Sequence, residues 1–571
     1  MFKIDPEFNN YFMPALKKWN KKYDSEEKMI KKPFSSPGYH TTLSGGYVHP
    51  TRESLKYAVA LLDSGKEDWK QRSVKIIKKV ISLQDTNPEH DTYGIWSWFY
   101  EEPLEQMSPP DWNWADFCGK QLLQVVLDHS ERLSESLTKD IEESLFHACR
   151  SIINRDVSVS YTNIAIMGTY VTLVTGELYN QEEFLNYGKQ NLEKFYNHTL
   201  YHGAFNEYNS PTYTIVAVED LKRMLNHFQD NESRKKVKTL YNLGWKVIAH
   251  HFHPPTNQWS GPHSRCYSNF RDNKFWSRLQ LATGLKFLEK ENIEIGIDWP
   301  RIDLKCPQEY LEYFKKLEQS REEKEVYFKR EEGNDKVAIT YLTPQYSIGT
   351  FDHSILWNQR RALIGYFTNG NQPTYIHLRC LHDGYDFSSA VFHSLHAENK
   401  ILSAVNFAVD GGDTHPSLDM MKNGTIKAED LRLRLEFGGN LDNLHLPEQV
   451  NFNKKGFNKI KIGNTVMALS IPYVSFGEYS VNFITGKNEE ISWLDIVFYQ
   501  GQKKNIDFNK ISEAVCTLAM VFIDNNKSIS DVFEVEINKI DKNILLKWPE
   551  EDKFKLKINR NPDELSTLLK T

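Results

Sequence analysis

Three short stretches of this chain gather side chains that packing alone does not call for. In SVSYTN (158–163), Asn163 opens an apolar run. Its amide can cap a helix start or donate to a substrate carboxylate. YHGAFNEYNSPTYT (201–214) places His202, Asn206, Glu207, Tyr208, Asn209 and Tyr213 in one loop. Ser210-Pro211 suits the first turn of a following helix, which would carry Tyr213. Turn chemistry explains the Gly, Asn, Ser and Pro of that loop. It does not require His202, Glu207 and two tyrosines, which bind substrates and move protons. In SGPHSRCYSN (260–269), His263, Arg265 and Tyr267 occupy alternate positions. An extended loop would turn all three the same way. Arg265 could grip a carboxylate through two parallel hydrogen bonds.

Other residues compete for attention. AHHFHPP places His250, His251 and His253 close to His263, in the manner of metal ligands. The segment reads instead as a helix C-terminus, where histidines complement the helix dipole. No HExxH or similar zinc spacing is present. His377, His382, His393 and His396 fall on later strand-like segments, and His393 is taken as a substrate contact. The segment 93–114 carries Trp96, Trp98, Trp112 and Trp114. These could wall a sugar-binding cleft by stacking, or pack a core. Asn206, Glu207 and Tyr267 complete the expected substrate-binding set.

The elements that position these residues change character near residue 325. Before it, apolar residues recur at three- and four-residue steps in segments 51–65, 66–85, 115–133, 139–155, 163–179, 182–198, 213–228, 235–252 and 274–291. With short N-terminal helices this makes about a dozen. Many helices with long aromatic loops between them predict an (α/α) toroid, an incomplete barrel, over 1–325. After about residue 335 the period becomes two, with Gly, Asn and Asp turns between segments. That predicts a large antiparallel β-sandwich over 326–571, and an α+β multidomain chain. The charged passage 321–336 reads as a linker or as an edge strand.

Bulk properties agree with this division. A chain of 571 residues exceeds one ordinary core. The 13 Trp, 28 Tyr and 32 Phe are a rich aromatic set. Net charge is −6 from 70 basic and 76 acidic residues, with no dominant basic tract, so nucleic acid is not an expected partner. The six cysteines form no CxxC pair and read as free thiols. No segment reads as a membrane span and no signal peptide is visible, so the chain as written is expected in the cytoplasm, or outside it as a processed form.

The order Asn163, His202, Tyr208 or Tyr213, then Arg265, in a helical domain ahead of a sandwich, resembles the polysaccharide lyases of the chondroitin and hyaluronate lyase type. It is also similar to the heparinase II/III and alginate lyase relatives. That resemblance implies that Asn163 neutralises a uronate carboxylate and that His202 assists it or abstracts a proton. It implies that Tyr208 or Tyr213 is acid and base, and that Arg265 stabilises the tyrosinate. His263 is a further candidate. The substrate implied is an acidic polysaccharide or oligosaccharide.

The chemistry is coherent. The proton at C5 of a uronate is weakly acidic, and donors on the carboxylate stabilise the enolate-like intermediate, each worth roughly 3 kcal/mol. Tyrosine, with a reference pKa of about 10, needs a nearby cation to act as a base. Tyr213, expected on a helix, is preferred. No nucleotide fingerprint occurs, no cofactor is expected, and the sandwich leaves room for a structural Ca²⁺ or Zn²⁺. Two rival readings are a toroidal glycoside hydrolase and a non-catalytic carbohydrate-binding protein. The hydrolase would draw its carboxylate pair from Glu207, Asp111, Asp116, Glu101 and Glu102.

Overall fold

The computed structural model describes residues 3–36, 38–330, 334–411, 415, 417–450, 457–524, 535–548 and 554–569. The chain forms two compact units that interleave in sequence. One comprises Met1–Tyr201, Tyr213–Trp245 and Arg271–Gln308; the other comprises His202–Thr212, Lys246–Phe270 and Glu309–Thr571.

The first unit is helical. Its helices are α1 (Pro6–Asn20), α2 (Thr51–Asp63), α3 (Glu67–Ile81), α4 (Trp114–His129), α5 (Glu135–Arg155), α6 (Thr162–Leu178), α7 (Glu182–His202), α8 (Tyr213–His227), α9 (Asn231–His250), α10 (Asn273–Thr283) and α11 (Trp299–Ile302). Local chemistry sets several ends. Asp5 accepts from the Glu7 amide at 2.8 Å, and Pro6 follows it at the first position of α1. Ser134 caps α5 and Asp272 caps α10. Gly284, with φ of 74°, ends α10 in the left-handed region. The helical pattern expected through residue 291 therefore stops at Thr283. Near the N-terminus, two hairpins (Tyr23–Asp24 with Met29–Ile30, and Lys32–Ser35 with Gly45–Val48) follow α1 in place of further short helices.

Packing follows a ring. Helix α2 packs on α4, α4 on α6, α6 on α8, α8 on α11, α11 on α1 and α1 on α2. Helices α3 and α5 back α2 and α4 and touch each other. Burial matches these positions. Helix α6 buries every residue from Thr162 to Gly176, whereas α3 buries one stripe of Ser73, Ile76, Ile77 and Val80. This is the (α/α) toroid expected from the periodicity.

Buried ions join the inner helices. Arg301 binds Asp63 on α2 and Asp128 on α4, and His129 Nε2 lies 2.8 Å from Asp63. Asp220 on α8 holds Arg223 and takes Lys120 Nζ at 3.1 Å. Asp298 takes Lys56 at 2.6 Å, and Glu219 holds Arg278. Five basic and five acidic side chains thus offset each other, as charges withdrawn from water must.

The second unit is built from two large antiparallel sheets. One runs Asn482–Lys487, Ile491–Asp507, Thr425–Gly439, Thr374–His382, Leu363–Phe367, Tyr346–Phe351, Lys336–Leu342, Arg321–Phe328, with Tyr385–Asp386 added beside Thr374–His382. The other runs His353–Ile355, Ala390–Ala397, Lys400–Phe407, Ala514–Asp524, Thr465–Ser470, Asn458–Ile462, Leu444–His445, with Val474–Phe476 added beside Ala514–Asp524. Their inner faces share one core. Ile348, Phe367, Leu433 and Leu494 of the first meet Phe392, Val405, Met467 and Phe522 of the second. This is the antiparallel sandwich expected from the period of two. The charged passage beginning at Arg321 forms an edge strand, with alternate residues half-buried and exposed.

Candidate functional site

Within the sheet unit, loop 203–212 and loop 257–265 are tied together by Asn209. Its φ of 46° lies in the left-handed region, which asparagine tolerates. Its Nδ2 donates to Ser260 O (2.9 Å) and Pro262 O (2.8 Å), and its Oδ1 accepts from Trp259 Nε1 (2.5 Å). The Asn209 carbonyl accepts from His263 Nδ1 at 2.7 Å. Ser264 Oγ donates to Tyr208 O at 2.7 Å, and Ser210 Oγ donates to Arg265 O at 2.7 Å. The second loop also pairs with the sheet: His263 and Arg361 exchange backbone hydrogen bonds of 3.1 and 2.9 Å. Gly349 makes this approach feasible. A Cβ there would stand 1.9 Å from Gly261 O.

These contacts fix the histidines. His263 is fully buried; Nδ1 donates to the Asn209 carbonyl, so the neutral ring carries its lone pair on Nε2. His202 has the opposite commitment. Its Nδ1 accepts from the Lys329 amide at 3.0 Å, so the neutral ring carries its proton on Nε2, and the ring stacks on Phe328 at 4.2 Å. Arg265 Nη2 donates to Tyr267 Oη (3.1 Å) and Gln359 Oε1 (2.7 Å), and its guanidinium lies 4.8 Å over the Trp357 ring. Tyr267 is 52% exposed. A Tyr–Arg pair therefore exists in this unit, formed by Tyr267 and Arg265. Glu207 is buried, and half-buried Asn206 lines a cavity of about 240 Å³.

Tyr208 departs from the expected role. It is 1% exposed, donates to Glu325 Oε2 at 2.5 Å, and lies 3.0 Å from His251 Nε2. Burial, then the Glu325 carboxylate, push its phenol well above the ordinary value. A phenol held so firmly in its neutral form is no proton acceptor at neutral pH. No motif or spacing points to Glu325, which lies on the edge strand.

In the helical unit, Asn163 is not a cap. The N-cap of α6 is Tyr161, and Asn163 is buried in the first turn. Tyr213 is half-buried in the first turn of α8, as expected, but the helix begins at Tyr213 itself and Ser210-Pro211 lie ahead of it. The four tryptophans divide. Trp96 is wholly buried and donates to Val80 O at 2.9 Å. Trp114 is buried, donates to Thr51 Oγ1 at 2.9 Å and stacks on Trp98 at 5.1 Å. Both are core residues and offer no ring face to a sugar. Trp98 and Trp112 are half-buried, and Trp112 borders a hollow of about 370 Å³ with Arg155.

The carboxylates considered for hydrolysis have structural duties. Glu102 accepts from Thr42 N (2.6 Å) and Oγ1 (2.7 Å), Glu101 binds His49, and Asp111 accepts from Trp98 Nε1 at 3.0 Å. Asp116 differs. It is 2% exposed on α4, and burial lifts its carboxyl to about 7. Gly168 of α6 makes room for it: a Cβ there would lie 2.8 Å from Asp116 Oδ1.

The remaining histidines are engaged elsewhere. His250 binds Glu323 (3.0 Å), His251 Nδ1 donates to Val247 O (2.9 Å), and His253 meets Thr256 and Thr343 O at 2.7 Å each. His393, expected to touch substrate, is 3% exposed and lies 3.1 Å from Asn406 Oδ1, and burial lowers its pKa to about 4. It belongs to the interior of the sheet unit. Among the described residues there is no cluster of three or more His, Cys, Asp or Glu able to hold a metal ion. Among them, too, no helix is long and apolar enough to cross a membrane.

Residues 10–292 match the model of a domain of unknown function, DUF8769. No curated protein matches the chain. Among solved structures, the chain is similar to a crystal structure of heparinase III, at 12% identity and a TM-score of 0.45, covering 98% of this chain and 91% of that one. It is similar to a heparan sulfate lyase mutant from Pedobacter heparinus, at 11% identity and a TM-score of 0.37, covering 98% and 90%. A glycosyl hydrolase family 88 protein from Bacteroides vulgatus aligns at 12% identity and a TM-score of 0.32, covering 53% and 83%.

Proposed function

We propose that this chain is a carbohydrate-active enzyme, specifically a polysaccharide lyase that cleaves a uronic-acid-containing glycan by β-elimination. The observation that carries the reading is the opposite commitment of two imidazoles in one unit. His202 keeps its proton on Nε2, and His263 keeps a lone pair there. One suits donation to a carboxylate, and the other suits acceptance of a proton.

In this reading His202 donates to the uronate carboxylate, so that charge developing from C5 spreads onto a hydrogen-bonded oxygen pair. His263 takes or relays the C5 proton, and a tyrosine returns a proton to the departing O4. Tyr213 is the first choice for that tyrosine, because it opens a helix and the hydroxyl of Tyr208 is already committed to Glu325. Proton removal and return are both side-chain steps, so the reaction requires no cofactor. The commitments of Glu101, Glu102 and Asp111 count against those three as members of a hydrolytic carboxylate pair.

The test is a panel of uronate polymers (alginate, glucuronan, hyaluronan, chondroitin, heparan sulfate and pectate) followed by ultraviolet absorbance beside a reducing-end assay. Absorbance from an unsaturated uronate, absent in Tyr213→Phe, is the expected result. New reducing ends without absorbance would sink the lyase reading.

A further inference from the structure

The sheet unit contains a cavity of about 240 Å³ whose walls divide by chemistry. Tyr327 and Phe351, with ring centroids 5.1 Å apart, form an aromatic side that Leu565 and Leu569 extend. Lys336, His353 and Arg360 supply a polar, cationic side. Arg360 Nε donates to Ser264 O at 3.2 Å, and the guanidinium lies 5.5 Å from the Trp357 ring. His353 Nδ1 is 3.1 Å from Asp352 Oδ2, and Asp352 Oδ1 accepts the His353 backbone amide at 2.8 Å. The other ring nitrogen of His353, Nε2, is buried and meets no hydrogen-bond partner among the described residues. A buried polar atom left in that state calls for a ligand or solvent group.

We infer that this cavity is a recognition pocket for a ring-borne oxyanion, the carboxylate or sulfate of a single sugar residue. The ring's C–H face lies on Tyr327 and Phe351, the oxyanion on Lys336 and Arg360, and a hydroxyl on His353 Nε2. Point-charge and guanidinium donors together favour such an anion, and apolar walls with a few convergent polar groups are the usual make-up of a small-ligand site. The choice of a sugar as the ring rests on the proposed function; the preference for an anion does not.

The experiment is calorimetric titration of the full chain with glucuronate, glucose and inorganic sulfate, in the wild type and in Lys336→Gln and His353→Gln. Saturable glucuronate binding is expected, at least tenfold tighter than glucose and weakened at least tenfold in Lys336→Gln. His353→Gln should weaken it as well, and sulfate should compete only partly. Three results would overturn the inference: no glucuronate binding, equal binding of glucose, or unchanged binding in both variants. Displacement of all glucuronate by equimolar sulfate would also overturn it, since a bare oxyanion site has no use for a ring. Polymer cleavage is read separately in the same samples. Its failure with glucuronate binding intact removes the lyase reading and leaves this pocket standing.

Discussion

Tyr208 donates its phenolic hydrogen bond to Glu325, 2.5 Å away and 117 residues further along the chain. The bond links the loop before α8 to the edge strand of the larger sheet. It also separates the two tyrosines that stand as rivals in the sequence. Tyr208→Phe is expected to leave turnover within a few-fold of wild type and to cost about 1–3 kcal/mol of stability, because Glu325 loses its donor. Tyr213→Phe should instead lower turnover by at least a hundredfold with little change in melting temperature. The absorbance assay and thermal unfolding, run on both variants, decide it. A dead but stable Tyr208→Phe would refute the assignment.

His263 and Asn209 allow a similar separation. Asparagine at 263 can still offer an amide donor to the Asn209 carbonyl but has no second ring nitrogen. His263→Asn should therefore stay folded and lose roughly 10²–10⁴-fold in kcat. Asn209→Ala removes the side-chain bonds to Ser260, Pro262 and Trp259. It should lower the melting temperature first. Equal loss of stability in both variants would make His263 a structural residue only.

Asp116 predicts a pH dependence of stability. Its carboxyl is raised from 3.8 to about 7 by burial. A raised carboxyl favours the folded state while both states are protonated, below about pH 4. That contribution is lost as pH climbs towards 7, at about 1.4 kcal/mol for each pH step of one, or about 4 kcal/mol in full. Asp116→Asn removes the ionisation. The variant should gain melting temperature on wild type steadily between pH 5 and pH 7, in denaturation scans at fixed ionic strength. A constant difference across that range would contradict the assignment.

The buried ions of the toroid make a further prediction. Asp63→Ala leaves Arg301 short of its partner on α2 and should cost about 3–5 kcal/mol. The double replacement Asp63→Leu with Arg301→Met should recover much of that loss. Urea unfolding of the single and double variants gives the coupling directly.

Periodicity was legible because it is local. Apolar spacing located α2 to α9 within a few residues, and alternation located most strands, since each pattern reports which face a residue presents. Tyr213 stands in the first turn of α8 as expected, with the Ser-Pro pair ahead of the helix. What could not be read depends on partners distant in sequence. Asn209 looks like any turn asparagine until Trp259 and His263 are beside it. Tyr208 looks like a catalytic tyrosine until Glu325 and His251 surround it. Trp96 and Trp114 looked like cleft residues because a loop rich in tryptophan has the same composition whether its rings face a sugar or a helix. Cap and interior also lie close together: Asn163 stands two places past the cap of α6, and sequence cannot count so finely.

The interleaving of the two units bears on how the protein can be made and cut. Loops 202–212 and 246–270 leave the ribosome well before residue 321, yet their hydrogen-bond partners include Lys329, Arg361 and Glu325. During synthesis these loops must therefore wait, with Asn209, His263 and Tyr208 only partly satisfied, until most of the larger sheet has emerged. No single cut in the gene releases an intact sheet unit. A fragment starting near residue 326 would lack both loops and the edge strand begun at Arg321. A single boundary in the chain therefore does not divide the two units.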